Sequence, residues 1–332
     1  MTLNLAEIAA GMDFSKEDIQ HMLDNLDNFD SEELGEIDKI VEELYTRNEN
    51  QAAYDDLIEF CKRMQPDYKV GRHHRILADQ LMAIERGDKD RVCVNIPPRH
   101  GKSQLVSIFY PAWFLGRNPS KKVMMVSHTT DLAVDFGRKV RNLIDVADYK
   151  DIFPDVKLAV DSKSAGRWNT NFGGEYFACG IGSALAGRGA DLLLVDDPHS
   201  EQDVINGNFS VFEKAYEWFT FGARTRLMPG GRVAIVQTRW HMDDLTGRVT
   251  NDMVKNELSD QYEIVEFPAL LDADDGTKKP LWPEFFDLAA LERTKASMPA
   301  FQWNSQYQQQ PTAEEASIIK REWWGIWPKD DP

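Results

Sequence analysis

The 332-residue sequence predicts an α/β fold built on a doubly wound, mainly parallel sheet, and three observations predict it. Short apolar runs at 91–96, 122–127, 191–196, 232–237 and 262–267 read as buried strands. Stretches with helical apolar spacing lie between most of them, notably 130–146 and 203–227. The first run also passes through a glycine-bearing loop into a helix, the order strand, loop, helix. Sheets of this kind bind ligands beyond the carboxyl ends of their strands, so chemistry is expected at residues that end a run.

Before the first strand lies an acidic segment. Net charge is −17, and residues 1–60 carry 17 Asp and Glu against 3 Lys and Arg, so −14 belongs there and −3 to the rest. Apolar residues recur at Ile19, Met22, Leu23 and Leu26, then at Leu34, Ile37, Ile40, Val41 and Leu44. That spacing reads as two short helices with Ser15 and Ser31 as N-caps, either solvated or serving as a docking arm for a neighbouring subunit. Helical pattern continues through 52–64 and 73–86. No apolar run approaches the length of a membrane span, and "MTLNLAEIAAGMDF" lacks the basic start and apolar centre of a signal peptide. Cys61, Cys93 and Cys179 are isolated, without metal spacing, which suits a reducing compartment.

The strand "RVCVNI" (91–96) runs into "NIPPRHGKSQ" (95–104). Gly101-Lys102-Ser103 is how a phosphate-binding loop ends, although Ile96 stands where a glycine is expected and Pro97 and Pro98 follow. Proline has no N–H, so phosphate donors must come from Arg99, His100, Gly101, Lys102 and Ser103. In such a loop Lys102 reaches the β/γ oxygens and Ser103 Oγ holds Mg²⁺. The helix that follows, "SQLVSIFYPAWFLG" (103–116), is expected to kink or divide at Pro111.

A phosphate loop needs a carboxylate at a neighbouring strand end. "LLLVDDP" (192–198) ends in Asp196, a candidate Mg²⁺ ligand through water, and Asp197, a candidate base for the attacking water. The alternative is an Asp-Asp-Pro turn. "VAIVQTRWH" (233–241) places Gln237 and Thr238 at the same sheet edge, where a polar group could touch both γ-phosphate and water, unless it is only strand-end solvation. Arg188, between Gly187 and Gly189 ahead of 191–196, could reach a phosphate of its own site or a neighbour's, and Arg99 is a second candidate. Either could equally be a surface arginine.

"NTNFGGEYFACGIGS" (169–183) reads as an inserted hairpin, and beyond 268 the pattern weakens to loops, short helices at 287–297 and 300–309, and a Trp-rich tail. The expected units are an acidic helical segment 1–64, a nucleotide-binding core 65–268 and a C-terminal subdomain with linker 269–332. Lys121, Lys122, Arg138, Lys139 and Arg141 are basic candidates for a nucleic-acid surface, although their helical spacing favours a solvated face.

These motifs resemble, in order, the large terminase subunit of tailed bacteriophages. The resemblance runs from "HHRILADQL" (73–81) through "NIPPRHGKS", "VSHTTDLA" (126–133), "GGEYFACGIGSALAGRGADLLLVDDPHS" (173–200), "TRWHMDDLTGRV" (238–249) and "LWPEFF" (281–286) to "FQWNSQYQQQP" (301–311), covering roughly 70–325. It implies an additional-strand P-loop ATPase that uses ATP and Mg²⁺ to drive double-stranded DNA into a procapsid. It also implies a homo-oligomeric ring on the portal protein, a small terminase subunit as partner, and a place in the infected host's cytoplasm, transiently at the portal vertex. Lys102 and Ser103 match the Walker A pair, Asp196 and Asp197 the Walker B aspartate and catalytic acid, and Gln237-Thr238 the coupling motif. Arg188 matches an arginine ahead of Walker B, and His74 stands near the family's adenine-contacting glutamine. Family members usually continue past a segment like "IIKREWW" into a nuclease, so this chain is expected to be the motor half. A helicase-like ATPase is the rival reading, but no DEAD/DEAH box or second RecA-like half is found. A P-loop ring component that does not hydrolyse ATP is the other.

Overall fold

The computed structural model describes residues 31–162, 164–205 and 209–312. The helix expected near Ile19 and the Trp-rich tail lie outside them. Helix α1 (Ser31–Asp55) runs without a break where the sequence pattern suggested separate pieces. Asp56 then caps α2 (Leu57–Met64), its carboxylate accepting from the N–H groups of Ile58 and Glu59. Helix α3 (Arg72–Arg86) stops at Gly87, whose φ of 88° is the left-handed conformation that glycine adopts freely.

The strands in chain order are β1 (Arg91–Asn95), β2 (Lys122–Ser127), β3 (Arg167–Asn169), β4 (Glu175–Gly180), β5 (Ala190–Asp196), β6 (Leu227–Gln237) and β7 (Glu263–Glu266). They form one sheet in the order β3-β4-β2-β5-β6-β1-β7, parallel throughout except for β3 at its edge. The expected 169–183 hairpin is present only in part. Its first arm begins earlier, and its second arm, β4, is an inner parallel partner of β2. Strand β6 lies between β5 and β1, and thus separates the Asp-ended strand from the loop-bearing one.

Alternation along these apolar strands produces two cores. Val92, Val94, Val123, Met125, Leu192, Leu194, Ala234 and Val236 face one layer, and Cys93, Met124, Val126, Leu193, Val195, Val233 and Ile235 the other. The first layer holds α2, α3, α4 (Tyr110–Arg117), α5 (Thr130–Ile144) and α6 (Ala147–Ile152). Residues 53–61, grouped with the acidic segment on sequence, contribute Ala53, Leu57, Ile58, Phe60 and Cys61 to this main core. Opposite, after α7 (Glu201–Ile205) and α8 (Ser210–Glu217), the π-helical residues Trp218–Ala223 and α9 (Leu245–Lys255) bury Phe219, Leu245 and Val249. Within the expected 203–227 helical stretch, residues 210–226 pass from α through π into a 3₁₀ turn (Arg224–Arg226) before β6.

The helix expected to kink or divide at Pro111 does change character there, one residue ahead of the proline. The chain is π-helical over Gln104–Phe109 and becomes α-helical at Tyr110, so the widened turns precede the proline, whose missing N–H and ring would clash with a regular α-turn. A third, small core of Ala269, Leu270, Leu291 and Trp303 gathers β8 (Leu270–Asp272), β9 (Lys278–Pro280), α10 (Leu288–Ala296) and, after α11 (Ala300–Gln302), the π-helical residues Trp303–Tyr307. No helix among the described residues is long and apolar enough to cross a membrane.

Candidate active site

The loop after β1 is shaped from below. His73 and His74 of α3 both place Nε2 3.0 Å from the carbonyl oxygen of His100. Nδ1 of His74 accepts the Gly71 N–H at 2.9 Å, so Nε2 carries the proton and donates. His100 donates from Nδ1 to the Pro98 carbonyl at 2.8 Å, and its ring stacks on Phe286 at 5.0 Å. Burial first, then the charges of neighbouring groups, hold His74 down at about 3; burial likewise holds His100 at about 4. These rings are therefore neutral supports.

Gly101 has φ +78°, and a Cβ there would stand 2.2 Å from His74 Nε2. Any larger residue would both strain the backbone and strike the histidine beneath it. Arg99, exposed at the tip, is also left-handed at φ +63°. Among the described residues, the N–H groups of Arg99, His100 and Gly101 have no intramolecular acceptor. They are free donors at the start of a helix.

Lys102 emerges from this loop nearly buried, with Nζ 2.8 Å from Asp197 Oδ2. Burial alone would lower its pKa, but Asp197 and Asp196 together raise it, so the ammonium is retained. Asp197 has φ +44°, uncommon outside glycine, which turns the chain back after β5. Its second oxygen, Oδ1, accepts the Thr238 N–H at 3.0 Å, and Thr238 Oγ1 donates to the Ile96 carbonyl at 3.0 Å. The three strand ends of β1, β5 and β6 are thus tied together around one carboxylate.

Asp196 is buried beside it. Ser107 Oγ donates to Oδ2 at 2.5 Å, while Oδ1 has no partner. Burial, then the adjacent Asp197 charge, pushes its pKa up, and the Lys102 charge, then Ser107 and Ser103, pull the other way. An orphaned, buried carboxylate oxygen beside Ser103 fits a Mg²⁺ ion held through water. No group of three or more His, Cys, Asp or Glu that could hold a metal ion is found among the described residues.

Not every expected residue converges here. The Gln237 side chain points to the other face, where Nε2 donates to Thr246 Oγ1 at 2.8 Å and Thr246 donates to Asn95 Oδ1 at 2.8 Å. His74 has both ring nitrogens engaged, so reading a base would require exchanging one of those bonds. Arg188 lies at the opposite end of the sheet. Its guanidinium sits 4.1 Å over the Phe177 ring and 3.3 Å from Glu175 Oε1, near the start of β4. Strand β5 alone separates that end from Asp196 by about 20 Å at 3.3 Å per residue. Of the basic surface candidates, Lys121 pairs with Asp191, and Arg138 and Lys139 pair with Asp135.

Ser107 was missed on sequence, although it follows Ser103 by four residues on a helix and so shares its face. The buried pair of Arg239 and Asp244 was also missed; Asp244 caps α9 through the Gly247 N–H and accepts Arg239 Nε at 2.9 Å.

Sheet order and site define a class: a doubly wound α/β domain with an additional strand between loop and carboxylate, the fold of terminase ATPase domains. The chain belongs to the terminase large subunit family, whose T4-like-virus-type N-terminal region matches residues 93–326. Among solved structures it is similar to the HK97 bacteriophage large terminase at 15% identity and a TM-score of 0.50, covering 77% of this chain and 55% of that one. The Thermus phage P74-26 large terminase ATPase domain is 17% identical with a TM-score of 0.44, over 70% of this chain and 92% of that one. The large terminase of another thermophilic bacteriophage, solved in complex with ADP, is 11% identical with a TM-score of 0.41, over 69% of this chain and 52% of that one. This chain therefore spans little more than half of the HK97 protein. No curated protein sequence matches it.

Proposed function

We propose that the chain is the ATP-hydrolysing motor part of a phage large terminase, which drives double-stranded DNA into a procapsid. The observation that carries the reading is the pairing of free loop N–H groups at Arg99, His100 and Gly101 with Lys102 and the Asp196–Asp197 strand end. The loop N–H groups and Lys102 hold the β- and γ-phosphates, and Arg99 stands exposed at the rim. Ser103 and Asp196 hold Mg²⁺, which when bound neutralises phosphate charge. Asp197 accepts the proton of the attacking water, and Thr238 orients that carboxylate through its N–H. Gln237 acts behind the site, on α9, and His74 supports the loop, leaving any base contact to follow from rearrangement.

Arg188, too far from its own Lys102, acts on the nucleotide of the next subunit in a ring. Family membership supplies the remaining partners of this reading: the portal protein, a small terminase subunit, and the host cytoplasm and portal vertex as the place of action. The acidic N-terminal segment, the nucleotide-binding core and the C-terminal subdomain are its proposed units.

The test is Mg-ATP turnover with and without double-stranded DNA. Wild type should hydrolyse ATP, and Lys102→Ala should lose both turnover and nucleotide affinity. Equal affinity and rate in the variant would overturn the site. Binding without turnover in wild type would leave a ring component that does not hydrolyse.

A further inference from the structure

We infer that Gln309 is a positioning residue for hydrolysis at Asp197; the inference rests on the function proposed above. Strand β6 ends at Gln237, and its partner β1 ends at Asn95, yet the chain remains buried through Thr238 and Arg239. Backbone groups that leave a sheet inside the protein need other partners. Three successive peptide groups find them. The Gln237–Thr238 group accepts from Ile96 N–H through its oxygen and donates its N–H to Asp197 Oδ1. The next group donates the Arg239 N–H to Gln309 Oε1 at 3.1 Å. The third accepts from Ser305 Oγ at 3.1 Å and donates the Trp240 N–H to Asp244 Oδ2 at 3.0 Å.

Side chains of the C-terminal segment thus stand in for a missing strand, one peptide beyond the N–H that holds the candidate base. Gln309 is built for this. It is 1% exposed, and its φ of +59° is a conformation that a non-glycine residue keeps only where its surroundings impose it. Its amide is oriented by two partners of opposite kind: Nε2 donates to the Gln306 carbonyl at 2.5 Å, which leaves Oε1 for Arg239. Rotation about Thr238 swings its N–H away from Asp197, and Gln309 opposes that rotation from the far side.

Gln309→Met keeps the volume and removes both amide functions. At one protein concentration, kcat for Mg-ATP should fall about tenfold, the size expected for one lost orienting hydrogen bond. The Kd for ATP should stay within about twofold, because the loop and Lys102 are untouched. Gln309→Glu keeps an acceptor opposite the Arg239 N–H but sets its second oxygen against the Gln306 carbonyl, so it should lower kcat as well. Ser305→Ala, which frees the other side of Arg239, should also lower kcat at unchanged Kd. Wild-type kcat in Gln309→Met overturns the inference. So does a parallel loss of kcat, affinity and melting temperature in Gln309→Met, which marks a merely structural residue. Wild-type protein that fails to turn over ATP instead overturns the reading of the site, and the inference with it.

Discussion

Lys102 and Asp197 form an ion pair of 2.8 Å whose carboxylate is held on its other oxygen by the Thr238 N–H. The ammonium expected to face phosphate and the carboxylate expected to face water are therefore direct neighbours. Under the proposed function, a γ-phosphate entering this loop would compete with Asp197 for Lys102 and so release the proposed base as it binds.

The two aspartates should separate by assay. Asp197→Asn removes the competitor for Lys102 and the proton acceptor together. It should bind Mg-ATP at least as tightly as wild type and hydrolyse it on the order of a hundredfold or more slowly. Asp196→Asn should instead raise the Mg²⁺ concentration needed for half-maximal rate. Identical Mg²⁺ titrations for the two variants would contradict the division of roles.

Arg188 should matter only between subunits. Arg188→Ala should bind ATP normally and lose on the order of 10³ in rate, the size associated with a guanidinium delivered to the transition state. Wild-type specific activity should rise with protein concentration, and mixing Arg188→Ala with Asp197→Asn should restore part of it. No recovery in mixed assemblies confirmed by native mass spectrometry would rule out action across an interface.

The buried pair of Arg239 and Asp244 should be a stability determinant. Asp244 is fully buried and accepts from Arg239, Trp240, His241 and Gly247. Asp244→Ala leaves the Arg239 guanidinium with only the longer 3.6 Å carboxylate contact to half-exposed Glu266, and should cost up to about 3–5 kcal/mol in urea unfolding. A loss under about 1 kcal/mol, the range of an exposed pair, would mean that water replaces the carboxylate.

Acid should weaken the loop support. His74 at about 3 and His100 at about 4 lie below the unfolded value near 6.5. The unfolded chain then takes up protons that the folded chain refuses, so stability is full above about pH 6.5 and falls as pH drops toward 4. Melting temperature should decline from about pH 6.5 to 5, before most carboxylates titrate, and His74→Gln should flatten that slope. A slope unchanged in the variant would acquit His74.

The sheet and the loop were legible because both follow local rules: apolar runs for β1, β2, β5 and β6, and Gly101-Lys102-Ser103 directly after one of them. What escaped depends on direction and distance. Gln237 and Thr238 are adjacent in sequence, yet strand alternation sends their side chains to different faces. The reach of Arg188 could not be judged until β5 set its length between the arginine and Asp196. β4 hid inside an apparent hairpin because its parallel partner β2 lies some fifty residues earlier. Gln309 had no signal, since an amide caps a backbone only when folding brings residues 239 and 309 together.

The placement of Arg188 and Lys102 at opposite ends of the sheet gives the subunit a direction. If each arginine serves the next molecule through a head-to-tail contact, every subunit gives an arginine from one surface and receives one at another. An open string of any length leaves one nucleotide without an arginine and one arginine without a nucleotide. In such a head-to-tail series, closure into a ring removes those unfinished ends.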